Sequence, residues 1–336
     1  MLNPKLKLNP KIFGENVEKK ESRMGFGEGL LQAGIENENV VALTADLVNS
    51  TRMNLFADKF PNRFFDIGIA EQNMASVASG MAAMGKVPFF ASYAIFSPGR
   101  NWEQVRTTIC YNNVGAKIVG CHAGLSVGPD GGSHQALEDI AYTRAIPNLV
   151  VISPCDAFEA KKATLLTAKT DEPTYLRLSR EKNEIITTEE TPFEIGKAQI
   201  FFIPEVGIAQ VGIVATGPVL YKALLGAKEL EKKGIKVKVM NLSTIKPLDV
   251  DAVVELAKET KAIVTVEEHQ IAGGMGSAVA ECLAQNYPVP IEFIGVHDAF
   301  GQSGVYEELL KHYNIDVPNI LKAVEKVIKR RDKKYQ

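Results

Sequence analysis

Short apolar runs alternate with helical stretches along most of this 336-residue chain. Residues 40–46, 117–120 and 211–215 are typical of the apolar runs, and each of them precedes a segment with helical character. Strands that alternate with helices predict a mostly parallel sheet with helices on both of its faces. The sequence therefore predicts an α/β protein built from two doubly wound domains.

Two irregular segments interrupt this alternation and divide the chain. Residues 1–20 are polar and lysine-rich and contain Pro4 and Pro10, which predicts an extended N-terminal arm. Residues 179–206 break the rhythm with charged residues and Pro192, which predicts a passage between domains. We therefore expect a first domain over residues 21–190 and a smaller second domain over residues 191–336.

Composition excludes several classes of function. A net charge of −2 with both signs mixed gives no reason to expect a nucleic acid partner. The sequence contains no apolar run of membrane length and no apolar signal core near Met1. The four cysteines are scattered, without a CxxC pair or metal-ligand spacing, as is typical of a reduced cytoplasmic protein. We expect a soluble, cytoplasmic protein with no metal site of its own.

A glycine-rich loop follows the apolar run at residues 117–120. It contains His122, Asp130 and His134, and so holds two of the five histidines of the chain. Glycines allow positive φ and close backbone approach, so a loop of this kind can gather polar side chains around a small ligand. A surface turn with solvated histidines is the simpler alternative; the clustering favours a ligand site.

Three other features carry chemistry or could be structural. Glu71 begins a helix rich in small residues; it is either ordinary helix N-terminal electrostatics or a buried carboxyl for proton transfer. Tyr93 and Phe96 are either core residues or a stacking wall for a flat heterocycle. The run from Gly273 to Gly276 lacks a nucleotide-binding spacing, so we interpret it as close helix–strand packing.

The chain resembles the C-terminal half of a transketolase over roughly residues 21–330. The resemblance covers the pyrimidine-binding domain and the smaller C-terminal domain of that family. It depends on several separated matches that occur in the family's order: Glu71, Tyr93 with Phe96, His122, the segment from Asp130 to His134, and the Leu-Ser-Arg run that ends at Arg180.

Membership of this family would imply a thiamine diphosphate enzyme that transfers a two-carbon ketol unit from a ketose phosphate to an aldose phosphate. By resemblance, Glu71 hydrogen-bonds the aminopyrimidine ring of the cofactor and promotes its imino tautomer. Tyr93 and Phe96 would stack on the pyrimidine, and Asp46 would be a further cofactor contact. His134 would assist proton transfers near the reacting carbon.

The resemblance also implies a site for the sugar phosphate. Asp130 would bind a sugar hydroxyl, whereas Arg23, Ser50, His122 and Arg180 would contact the phosphate. Arginines suit phosphate because a guanidinium can donate two hydrogen bonds at once.

Some positions depart from the family pattern. Gln72 and Asn73 stand where common transketolases have other residues, and the segment around Gly99 and Arg100 has one extra residue, which leaves its alignment open. The sequence contains no Gly-Asp-Gly followed at about thirty residues by Asn, the family's metal–diphosphate signature. The resemblance therefore implies an N-terminal partner subunit that holds the diphosphate and Mg²⁺ or Ca²⁺, in an α2β2 assembly with active sites between chains.

Three alternatives remain beside a split transketolase. A β chain of a 2-oxo acid dehydrogenase has similar domains, but the phosphate-binding set argues against it. Half of a deoxyxylulose-phosphate synthase usually has Arg where His122 stands. A non-catalytic module of the same fold is disfavoured because Glu71 and His134 are both retained. The sequence leaves the donor and acceptor sugars open.

Overall fold

The computed structural model describes residues 1–334 and arranges them around two largely parallel β-sheets, each covered by helices. The strands are β1 (Lys19–Glu21), β2 (Val40–Thr44), β3 (Phe64–Asp66), β4 (Val87–Tyr93), β5 (Lys117–Cys121), β6 (Val150–Ile152), β7 (Thr174–Arg177), β8 (Lys182–Glu184), β9 (Gln199–Phe202), β10 (Val211–Ala215), β11 (Val237–Asn241), β12 (Thr244–Lys246), β13 (Ile263–Gln270) and β14 (Ile291–Val296). The helices are α1 (Ser22–Glu36), α2 (Asn54–Lys59), α3 (Glu71–Ala83), α4 (Trp102–Gln104), α5 (Asp139–Arg144), α6 (Ala157–Thr167), α7 (Leu220–Lys232), α8 (Val250–Thr260), α9 (Met275–Asn286), α10 (Tyr306–His312) and α11 (Val317–Lys334).

The first sheet has the strand order β12-β6-β7-β5-β4-β2-β3. All of its neighbouring pairs are parallel except β12 with β6, which is antiparallel. Strands β2 and β5 are buried along their whole length, because helices cover both faces of a parallel sheet and leave no strand face in water. The predicted fold class is confirmed for this sheet.

Helices α1 and α6 pack closely on one face of the first sheet. A Cβ atom at Gly25 of α1 would overlap the carbonyl oxygen of Ala157, and one at Gly29 would lie 2.9 Å from the carbonyl oxygen of Lys161. Only glycine permits this approach of two helix backbones. The close packing sets the position of the first turn of α1, which contains Arg23.

The second sheet has the strand order β14-β13-β10-β11-β9, with only the edge strand β9 antiparallel. A Cβ atom at Gly276 would lie 2.5 Å from Oγ1 of Thr265, so α9 lies directly against the sheet. The close helix–strand packing predicted for the run from Gly273 to Gly276 is confirmed.

The two sheets do not belong to independent units. Strand β12 follows the second-sheet strand β11 in the chain but pairs with β6 of the first sheet. One hydrophobic core contains Ile140 of α5 together with Met275 and Val279 of α9. The N-terminal residues are irregular but packed: the Asn3 N–H donates to the carbonyl of Phe201, and Ile12 is fully buried.

The structure differs from the sequence-based expectations at identifiable places. Helix α5 begins at Asp139, not near Gln135, because Gln135 and Leu137 hydrogen-bond to the second-sheet half of the chain instead. The helix expected near residues 102–111 is α4 continued by a π-helical segment, Val105–Cys110. Helix α10 and strands β1, β8, β9 and β12 were not predicted.

The cysteines and the helices bear on two further expectations. All four cysteines are buried and carry free thiols, so no disulfide framework is present, as the spacing predicted. Within residues 1–334, none of the helices is both long and apolar enough to cross a membrane.

Candidate active site

The carboxyl ends of the parallel strands gather the polar residues that the sequence singles out. Strands β2, β4, β5 and β7 are neighbours or next neighbours in the first sheet and run in one direction. Ligands of open α/β sheets bind in the crevice outside this edge. Tyr93 ends β4, His122 directly follows β5, and Arg180 follows β7 by three residues.

Glu71 is a buried carboxylate at the first position of α3. The residue is only 2% exposed, and its Oε2 accepts a 2.8 Å hydrogen bond from Nη1 of Arg100. The amide of Asn101 donates to the backbone carbonyl of Glu71 at 3.1 Å, which holds the first turn of the helix. No hydrogen bond to Oε1 is observed among residues 1–334.

The rings of Tyr93 and Phe96 form a wall beside this carboxylate. Their centroids are 6.1 Å apart and their planes are inclined by only 11°. The ring of His134 meets Phe96 edge-on at 5.5 Å, and the guanidinium of Arg100 lies 4.5 Å from the Phe96 centroid. Arg100 therefore joins the aromatic wall to Glu71, a role that sequence reasoning did not assign.

His122 links the aromatic wall to a group of arginines. Its ring stacks on Tyr93 with a centroid separation of 3.9 Å, and its Nε2 lies 3.4 Å from Nη1 of Arg23. Burial, followed by the charges of Arg23 and Arg180, lowers the pKa of His122 from 6.5 to about 3. The imidazole is therefore neutral at physiological pH.

The hydrogen-bond network assigns the tautomer of His122. Because Arg23 can only donate, Nε2 accepts and the proton resides on Nδ1. Nδ1 is buried and has no hydrogen-bond partner among the described residues. A buried, unpaired N–H donor is costly unless a ligand atom satisfies it.

A single carboxylate holds two arginines at this end of the cleft. Oε1 of Glu21 accepts from Nη2 of Arg23 at 3.2 Å, and Oε2 accepts from Nη2 of Arg52 at 2.7 Å. Arg23 also donates to the backbone carbonyl of Ser50 at 2.8 Å, so the observed contact of Ser50 is through its main chain. Arg52 was not identified from the sequence, although it stands only two residues after Ser50.

Arg180 and Asp130 lie beside each other in the same cleft. Nη1 of Arg180 is 3.6 Å from Oδ1 of Asp130 and also donates to the carbonyl of Val127. Asp130 is exposed, and so are parts of Arg180 and His134. Nδ1 of His134 lies 3.0 Å from the hydroxyl of Ser133. These three residues line the open side of the cleft.

Asp46 is the predicted site residue that the structure connects least to the others. It is exposed after the end of β2, and its backbone N–H donates to Oδ1 of Asp66 at 3.0 Å. Hydrogen bonds among residues 1–334 do not join the Asp46 carboxylate to Glu71 or to the aromatic wall. The cofactor role expected for Asp46 stays a prediction.

Comparison with known proteins assigns the family. Residues 18–184 match the family "Transketolase, pyrimidine binding domain", and residues 207–320 match "Transketolase, C-terminal domain". A protein of Methanocaldococcus jannaschii that is provisionally named a transketolase C-terminal section is 43% identical over 93% of this chain and 97% of its own length. The chain belongs to the transketolase family.

Two further relatives show the same correspondence over nearly their whole length. The 6-deoxy-6-sulfo-D-fructose transketolase subunit of a Clostridium species is 37% identical over 95% of this chain and 98% of its own. The solved structure "Split gene transketolase, inactive beta4 tetramer" is 40% identical, with a TM-score of 0.85, over 92% of this chain and 98% of that one. The chain is a split-transketolase-type C-terminal subunit, and the resemblance inferred from its residues is confirmed. Its family implies dependence on thiamine diphosphate.

Proposed function

We propose that this transketolase subunit transfers a two-carbon ketol unit from a ketose phosphate to an aldose phosphate. One juxtaposition carries the proposal: His122 stacks on Tyr93 at 3.9 Å and faces Arg23 at 3.4 Å. A wall suited to a flat ring and a cluster suited to an anion therefore share one crevice. A sugar phosphate that is to react with a ring-bound carbon needs both groups at this spacing.

The residues fit the aminopyrimidine of thiamine diphosphate. Tyr93 and Phe96 present nearly parallel rings, and the buried Glu71 keeps Oε1 for a ring nitrogen. Thiamine diphosphate, when bound, supplies a carbon nucleophile that carries the ketol unit. In this role Glu71 hydrogen-bonds the pyrimidine, while the aromatic wall orients the ring and excludes water. The guanidinium of Arg100 lies 4.5 Å from the Phe96 centroid. A pyrimidine that stacks on Phe96 must therefore pack beside this guanidinium or displace it.

The guanidinium cluster fits the phosphate of the sugar. Arg23, Arg52 and Arg180 surround the neutral His122. Charge-assisted hydrogen bonds to phosphate are among the strongest available in proteins. With the phosphate at this end, the carbonyl end of the sugar lies toward Tyr93 and His134, where His134 can move a proton and Asp130 can accept from a hydroxyl.

We propose that a second polypeptide binds the diphosphate of the cofactor together with Mg²⁺ or Ca²⁺. The names of the relatives, which describe a subunit, a section and a split gene, support this proposal. The face of α3 next to Glu71 exposes Gln72, Ser76 and Gly80, and Ile69 is 75% exposed. Ser76 and Gly80 are small, which permits a close approach by another chain, and Ile69 offers it an apolar contact. We propose an α2β2 assembly with the active site between chains.

We also propose that the assembly works in the cytoplasm. The support is the presence of four buried, free thiols, which suit a reducing compartment.

The test is ketol transfer from xylulose 5-phosphate to ribose 5-phosphate with thiamine diphosphate and magnesium. The chain is assayed alone and with the polypeptide that co-purifies with it, and Glu71→Ala in the same mixture is the control. Turnover in the mixture alone supports both the reaction and the two-chain architecture. Turnover by the chain alone refutes the need for a partner. If neither sample turns over, these sugar phosphates are refuted as substrates, and a 2-oxo acid or a sulfonated ketose becomes the favoured substrate.

A further inference from the structure

The loop that carries the substrate-binding residues, 122–135, rests on the second-sheet half of the chain. We call it the substrate loop. Nε2 of Gln135 donates to the carbonyl of Gln302 at 3.0 Å. A Cβ atom at Gly131 would lie 2.5 Å from Oγ of Ser303, and one at Gly132 would overlap the carbonyl oxygen of Gly301. The substrate loop therefore has no room to move toward the second sheet.

Glu268 of β13 reaches from the second sheet into the middle of this loop. Its residue is 2% exposed, and its Oε1 accepts from the backbone N–H of Ser126 at 2.7 Å. Oε2 accepts from the hydroxyl of Tyr306, at the start of α10, at 2.7 Å. Gly124 has φ +71, and a Cβ atom there would overlap Oε1 of Glu268. A side chain at residue 124 would therefore collide with the carboxylate, so a glycine at this position lets Glu268 reach the backbone of the loop.

Ser126 connects Glu268 to Arg180 through hydrogen bonds. Its hydroxyl accepts from the backbone N–H of Arg180 at 3.0 Å and donates to the carbonyl of Ala123 at 2.8 Å. The side chain of Arg180 donates to the carbonyl of Val127, the next residue of the loop. Two hydrogen bonds, both made by Ser126, therefore connect Glu268 to the backbone of Arg180, which is proposed to bind the phosphate.

The environment makes Glu268 sensitive to the loss of any donor. Burial raises the pKa of its carboxyl to about 6, opposed by the charge of Arg177 and by hydrogen bonds from Tyr306 and the loop backbone. Nη2 of Arg177 also donates to the backbone carbonyl of Glu268 at 2.9 Å. A buried carboxylate of this kind needs its donors in place to stay ionised at neutral pH.

We propose that Glu268 is a positioning residue for sugar-phosphate binding, through which the second domain holds the substrate loop and Arg180 in binding geometry. It acts through Ser126 and makes no contact with substrate. The proposal rests on the function proposed above. It extends the site to the second domain, which contains none of the predicted cofactor-binding or substrate-binding residues.

Glu267 provides a matched control. It is the neighbouring residue of β13 and equally buried, but its carboxylate accepts from the N–H groups of Met275 and Gly276 at the start of α9. Truncation at either position removes one buried carboxylate and leaves its hydrogen-bond donors unpaired. Only truncation at Glu268 releases the substrate loop.

The experiment compares Glu268→Ala, Glu268→Gln and Glu267→Ala in the full chain, with its partner present for kinetics. For Glu268→Ala we expect hydrogen exchange in peptides of residues 122–135 to rise about tenfold, and KM for the phosphorylated donor to rise about tenfold with a smaller change in kcat. Glu268→Gln keeps an acceptor for the Ser126 N–H and should restore most of both. Glu267→Ala should leave loop exchange and KM close to wild type.

Equal effects of the two alanine variants on loop exchange and KM would overturn the proposal, as would unchanged values in a folded Glu268→Ala chain. If Glu268→Ala does not fold, Tyr306→Phe decides, since it removes only the hydroxyl that holds Oε2. It should raise loop exchange and KM by about threefold, and wild-type values would overturn the proposal. Hydrogen exchange needs no turnover, so a wild-type mixture without ketol transfer would refute the proposed function and still report whether Glu268 holds the loop.

Discussion

Arg100 donates a 2.8 Å hydrogen bond from Nη1 to Oε2 of Glu71, with the arginine side chain 48% exposed and the carboxylate side chain 2% exposed. The buried carboxylate is therefore already paired on one oxygen before any ligand enters. The same guanidinium lies 4.5 Å from the centroid of Phe96. Arg100 therefore contacts both groups proposed to bind the pyrimidine.

The first prediction separates the carboxylate from its ion pair. With the partner present, Glu71→Ala should lower kcat for ketol transfer by about 100-fold or more, because the hydrogen bond from the carboxyl group to the pyrimidine is lost. Arg100→Met keeps a long side chain over Phe96 and should lower kcat by less than about tenfold, since Glu71 remains. If kcat falls equally in the two variants, ketol transfer depends on the ion pair between Arg100 and Glu71 and not on the carboxylate alone.

The second prediction concerns the phosphate end of the site. Arg180→Ala should raise KM for a phosphorylated donor about 10- to 100-fold with a smaller change in kcat, because a contact remote from the reacting carbon contributes mainly uniform binding. Arg331→Ala, which removes the same charge from α11, is the control and should leave KM unchanged. A similar rise in KM for a donor that lacks the phosphate would contradict the assignment.

The third prediction concerns the protonation of His122. Burial and the neighbouring arginines lower its pKa to about 3, below its ordinary value of 6.5. Because the folded-state pKa is the lower one, the stability linked to this residue is fully present above pH 6.5 and is lost as the pH falls toward 3.

Nuclear magnetic resonance can follow this residue directly. The ring signals of His122, assigned by their absence from a His122→Asn chain, should not shift between pH 5 and pH 8, and Nδ1 should carry the proton throughout. A midpoint near pH 6.5 would show that the imidazole is not held neutral by its surroundings.

The fourth prediction tests the packing that places Arg23. Gly25→Ala should lower the free energy of unfolding by about 1–3 kcal/mol, because its Cβ overlaps the carbonyl oxygen of Ala157, which cannot rotate away. Gly80→Ala, at an exposed position of α3 with nothing within 4 Å of the new Cβ, should instead stabilise by about 0.5–1 kcal/mol. Urea unfolding of the isolated chain measures both, and changes of the same sign would contradict the packing account.

Local patterns predicted the elements well. The helix expected near residues 23–35 is α1, Ser22–Glu36, and the strand expected at residues 211–215 is β10 with the same bounds. Residue periodicity and capping are properties of neighbouring residues, so a sequence displays them directly. The fold class followed from the alternation of strands and helices, and the family from residues in a definite order, because an ordered set of separated matches seldom arises by chance.

These local patterns could not predict the contacts between distant residues that form the site. Glu21, Arg23 and Arg52 meet because α1 lies against the turn after β2, where a Cβ atom at Gly27 would lie 2.6 Å from the carbonyl oxygen of Arg52. Arg100 was left without an assignment because its extra loop residue obscured its alignment. The resemblance implied a cofactor contact for Asp46; the structure shows only that its backbone N–H donates to Asp66, and the cofactor role stays a prediction.

The sequence by itself determined the alternation of elements, the family, and which residue types stand at the carboxyl ends of the strands. Only the tertiary structure decided that Glu268 supports Ser126 across 142 residues, and that one carboxylate orients two arginines. The physical reason is range: hydrophobic periodicity and turn chemistry are local, whereas a hydrogen bond between distant residues exists only after packing has brought their backbones together.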